Sequence, residues 1–77
     1  MERYIKALES LGMTITEIHE RTFEAEIETP SGKLTVYCGG NGCAKICKPN
    51  GACKWLYEKS YAQVRRAVEQ SLEHWMR

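Results

Sequence analysis

The segment Phe23-Glu24-Ala25-Glu26-Ile27-Glu28 alternates apolar and acidic residues without a break. Successive side chains of a strand point to opposite faces, so this pattern predicts a strand with one face in a core and the other in water. A helical period of 3.6 residues would instead mix carboxylates and apolar groups around the axis. A lone strand cannot satisfy its backbone, so it must find partners. The stretch Thr29-Pro30-Ser31-Gly32-Lys33 has turn composition. After it, Leu34, Val36 and Cys38 alternate with Thr35 and Tyr37. A hairpin pairing 22–29 with 33–38 is expected.

A second hairpin is expected around Asn50-Gly51, a strong short-range turn signal. It pairs 44–48 with 52–58 and leaves Pro49 in the turn, where its missing N–H does no harm. Residues 14–19 read as a further strand, although Thr14 and Glu17 also match the capping box of a helix.

Both ends of the chain have helical periodicity. Tyr4, Ile5, Leu8 and Leu11 share one face of a helix over 2–11, with Gly12 placed to cap it. Ser60 and Gln63 form a capping box, and Tyr61, Val64, Val68, Leu72 and Trp75, with Ala67 beside them, make the apolar stripe of a helix from 61 to near the C-terminus. Arg65 with Glu69 and Glu73 with Arg77 are spaced as i,i+4 ion pairs on its other side. Two such helices need an apolar surface, and one sheet face offers it. The expected fold is one α+β domain over 1–77: two layers, an antiparallel sheet of four or five short strands, and both helices on the same sheet face.

All four cysteines fall between Cys38 and Cys53, spaced C-x4-C-x3-C-x5-C. Cys38, Cys43, Cys47 and Cys53 could complete a tetrahedral zinc site, and the four glycines among them would let the chain wrap an ion. The tight C-x2-C pair usual in zinc knuckles is missing. Disulfides are the other alternative, with Cys47 and Cys53 facing each other across the Asn-Gly turn and Cys38 closing a small loop with Cys43. The N-terminal residues carry charges at 2, 3, 6 and 9 and lack the apolar run of a signal peptide, and no stretch is long and apolar enough to span a membrane. The expected location is therefore cytoplasmic, which favours free thiols, with Cys38 continuing the buried alternation of Leu34 and Val36.

Net charge is +1, too small to steer the whole molecule toward nucleic acid or membrane. Its distribution is uneven. Residues 1–32 hold seven glutamates against three basic residues, and residues 33–77 hold eight basic residues against three glutamates. Asp is absent, which disfavours the carboxylate sites of metal-dependent phosphoryl transfer. The two histidines, His19 and His74, have no evident thiol partner. The chain is thus expected to be non-catalytic and to need no cofactor.

Two surfaces are candidates for binding. Glu24, Glu26 and Glu28 would form an acidic row that engages a basic groove on another protein, making the chain an inhibitor or adaptor. The bland reading of the same row is a solvated strand face. Lys45, Lys48, Lys54, Arg65 and Arg66, with Trp55 and Tyr57 interleaved, would instead contact phosphates and stack bases, with the cysteine loop ordered by zinc. Homodimerisation through a sheet edge suits either reading.

Overall fold

The two hairpins legible in the sequence join a fifth strand in one sheet. A computed structural model of the chain describes residues 2–39, 44–57 and 61–77, the side chain of Tyr61 excepted. The elements are α1 (Glu2–Glu9), β1 (Thr14–Ile18), β2 (Phe23–Thr29), β3 (Gly32–Cys38), β4 (Ala44–Cys47), β5 (Cys53–Leu56) and α2 (Tyr61–Trp75). The strands lie in chain order β1-β2-β3-β4-β5, each antiparallel to the next. The α+β expectation holds, with five strands. The N-terminal helix is shorter than 2–11, because residues 10–12 turn out of it.

That turn has a physical cause. Gly12 has φ +91°, a left-handed conformation that costs glycine little. The amide of Met13 donates to the carbonyl of Leu8 at 3.2 Å, and that of Gly12 to Glu9 at 2.9 Å, which satisfies carbonyls the helix leaves open. Gly51, at φ +90°, follows a turn in which its own amide donates to Lys48 at 2.9 Å. Asn50 Oδ1 accepts from the amide of Ala52 at 3.0 Å. Asn50 itself keeps a negative φ. The β4–β5 connection is therefore a Pro-Asn turn followed by a left-handed glycine, the bulged form of a three-residue hairpin loop.

The core lies between one sheet face and the helices. Phe23 and Ala25 of β2, Leu34, Val36 and Cys38 of β3, Ala44 and Ile46 of β4 and Leu56 of β5 are buried together with Leu8 of α1, Val64 and Val68 of α2 and Met13. Leu72, Trp75 and Ala67 pack at its edge, as the helical stripe requires. No polar or charged residue is buried among the described residues. The Arg65–Glu69 pair forms, with Nη1 and Oε1 at 2.6 Å. The helix ends at Trp75, before Arg77, and no ion pair joins Arg77 to Glu73. The Ser60 cap lies outside the described residues. No described helix is long and apolar enough to cross a membrane.

Leu34 is fully buried at the centre of this core. Leu34→Ala should cost about 2–5 kcal/mol in a urea titration. Glu28→Ala, at an exposed strand end, should change stability by less than about 0.5 kcal/mol.

Candidate binding face

The helices cover one sheet face, and the acidic candidates lie on the other. Pairing aligns Glu17 with Glu24, Glu24 with Tyr37, Tyr37 with Lys45 and Lys45 with Trp55, so these five side chains form one row across the sheet. A neighbouring row runs Thr14, Glu26, Thr35, Cys47, Cys53, and beyond it Glu28 pairs with Lys33. Each of these residues is half-buried or exposed.

A bulge in β1 decides what this face carries. Ile15 pairs with Ala25 on the core side, and the next partner pair is Glu17 with Glu24, which leaves Thr16 as an extra residue. Without it, Glu17 would share the core side with Ile15. The bulge instead turns Glu17 to the open face, directly opposite Glu24. Like charges in directly opposed positions repel. Partial burial raises the Glu24 carboxyl above its ordinary range, and the hydrogen bond and repulsion from Glu17 raise it further, while His19 acts the other way. Among the described residues, Glu24 has no lysine or arginine within ion-pair distance. Lys33 Nζ instead lies 3.4 Å from Glu26 and 3.9 Å from Glu28. His19 Nε2 is 3.7 Å from Glu17, a true ion pair only when the imidazole is protonated.

The acidic row is thus on the open face, but not uniform. Lys33 offsets one of the two charges of Glu26 and Glu28, whereas among the described residues neither Glu24 nor Glu17, a residue not singled out from the sequence, has a lysine or arginine within ion-pair distance. The signal was the period break at Thr16, legible only once β1 is set against β2. The row lies on β2, an interior strand of the sheet.

At the far end of the same row the face is aromatic. Trp55 is 56% exposed and Tyr57 74% exposed, their ring centroids 6.5 Å apart and nearly parallel. Lys45 Nζ lies 5.0 Å from the centre of the Tyr37 ring and 5.4 Å from that of Trp55, so both rings hold a cation.

The basic candidates do not form one patch. Lys45 is engaged with these rings on the open face. Lys54 pairs with Ile46 on the helix side and shares a hollow with Arg66. Arg65 is paired with Glu69 and lines a different hollow with Arg3 and Lys6 of α1. Lys48 begins the β4–β5 turn.

The cysteines divide rather than converge. Cys47 and Cys53 are joined by a disulfide across the β4–β5 pair, with Cα atoms 4.1 Å apart. This corrects the free-thiol expectation for both and removes both from a four-thiolate zinc set. Cys38 is a buried free thiol on the opposite, helix-covered face, and burial pushes it up to about 11. It remains protonated at neutral pH and is a poor metal ligand or nucleophile. Cys43 lies outside the described residues. Among the described residues no three His, Cys or Glu side chains are grouped to hold a metal.

Two measurements follow. Intact mass should be two hydrogens below the fully reduced value and recover with reductant. A Cys47→Ser, Cys53→Ser variant should lose about 2 kcal/mol of stability through the freed loop. Separately, a carboxyl raised in the folded state binds its proton more tightly there than in the unfolded chain. Its contribution to stability therefore falls as pH rises through the folded value. Glu24→Gln should melt above the wild type at neutral pH, with the gap closing on acidification. A lower melting temperature for the variant at neutral pH would show that the ionised pair stabilises the fold.

Comparisons of the chain with known protein families, with curated proteins and with solved structures find no match.

Proposed function

We propose that this chain is a non-catalytic protein-binding module, of inhibitor or adaptor type, that docks a basic surface of another protein onto its open sheet face. The observation that carries this reading is the Glu17–Glu24 pair, two opposed acidic side chains that have no lysine or arginine within ion-pair distance among the described residues. Like charges in directly opposed positions repel, and an incoming cation would relieve that repulsion, which suits a binding surface better than a merely solvated strand. The exposed Trp55 and Tyr57 at the other end of the row are of the residue types that anchor interfaces. Charge on the face would set partner choice and encounter rate, and the aromatic end would supply the apolar contact. The nucleic-acid reading gains nothing comparable, since its five basic residues face different sides and its zinc set is broken by the disulfide.

The test is fluorescence anisotropy with a labelled lysine- and arginine-rich peptide and, in parallel, a single-stranded oligonucleotide. The peptide should bind, and Glu24→Lys should weaken it about tenfold or more. Glu26→Lys should have a smaller effect, because Lys33 already compensates that position. Peptide binding indifferent to both reversals would reduce the row to a wet face. Oligonucleotide binding that falls steeply with salt and is lost on replacing Lys48 and Lys54 would overturn the reading in favour of nucleic acid.

A further inference from the structure

The open face has a hollow at the end of its charged row. A cavity of about 410 Å³ is lined by Thr22, Phe23, Glu24, Tyr37, Gly39 and Trp55, with Cys38 also on its wall. Its volume falls within the usual range for ligand sites, about 300–1,000 Å³. Three aromatic residues, Phe23, Tyr37 and Trp55, and the carboxyl group of Glu24 line a mostly apolar hollow, and Glu24 is the glutamate of its strand that Lys33 does not reach. The neighbouring Glu17 places a second acidic group beside it.

We infer that this hollow takes an arginine side chain of the basic partner, its guanidinium stacked on Tyr37 or Trp55 and hydrogen-bonded to Glu24. This rests on the protein-binding reading above and names the group that anchors it. Three observations support the choice. The ring faces already attract a cation, because Lys45 lies within cation–π distance of both. Lys45 does not line the hollow, so the space beyond it remains for a second cation. Along the row two acidic groups, Glu17 and Glu24, stand against one lysine, Lys45, so a further cation would meet complementary charge there. A guanidinium is planar, stacks on aromatic faces and meets a carboxylate with two parallel N–H donors. The compact, strongly hydrated ammonium of lysine can do only part of this.

Two twelve-residue Gly/Ser peptides of equal charge, one bearing four arginines and the other four lysines, separate the possibilities. Each is titrated into the ¹⁵N-labelled full chain, with the shift of the Trp55 indole N–H as the readout. The arginine peptide should bind about tenfold more tightly than the lysine peptide and move the Trp55 indole further. Glu24→Gln should erase that preference, and Trp55→Leu should weaken the arginine peptide more than the lysine peptide. Lys45→Met removes the resident cation and should strengthen arginine binding by about twofold to fivefold. Equal affinity for the two peptides, with no effect of Trp55→Leu, would overturn the arginine site and leave the acidic docking face standing. Binding of neither peptide would overturn both.

Discussion

Ala25, Leu34 and Val36 are completely shielded from solvent, and only one register of β2 against β3 allows this. Because side chains alternate along a strand, a slip of one residue would turn Glu24 and Glu26 into the core and Ala25 out of it. Burying unpaired carboxylates is far too costly to tolerate. The register of this central hairpin is therefore held by its hydrophobic face, and the positions of Glu24, Glu26 and Glu28 on the other face follow from it. The helices complete the arrangement by covering the apolar side with Leu8, Val64 and Val68.

With both helices on one side, the opposite face is left without a second layer, and its contents become the surface of interest. Strand order then grades that face. The acidic strands β1 and β2 lie at one side of the sheet, and Lys45 and Trp55, on β4 and β5, at the other. The uneven charge seen along the chain thus becomes an uneven charge across a surface. It is not a simple division into acidic and basic faces, because Lys54, Arg65 and Arg66 lie on the helix side, away from the open face.

The disulfide belongs to the same geometry. Cys47 and Cys53 are paired residues on the open face of β4 and β5, and their bond ties the edge strand that presents Trp55 to its neighbour. A four-residue edge strand has few backbone hydrogen bonds of its own, so a covalent tie there holds the aromatic end of the face in place. Cys38, one strand further in, takes the opposite direction and serves as a small apolar residue, with the Tyr4 hydroxyl raised by partial burial and then by its proximity.

The periodicities were enough to determine two terminal helices and the first hairpin, because a buried face imposes a period of 2 on a strand and about 3.6 on a helix, and the Asn50-Gly51 turn signal added the second hairpin and with it the α+β class. They also placed Glu24, Glu26 and Glu28 on one solvent-facing side. Three features required tertiary structure. The Thr16 bulge, which brings Glu17 opposite Glu24, exists only in the pairing of β1 with β2. The choice between zinc, thiol and disulfide depended on which cysteines share a face, and a spacing of residues along the chain does not specify that. The hollow between Tyr37, Trp55 and Glu24 draws on β2, β3 and β5, far apart in the chain, and only the strand order places their side chains around one space.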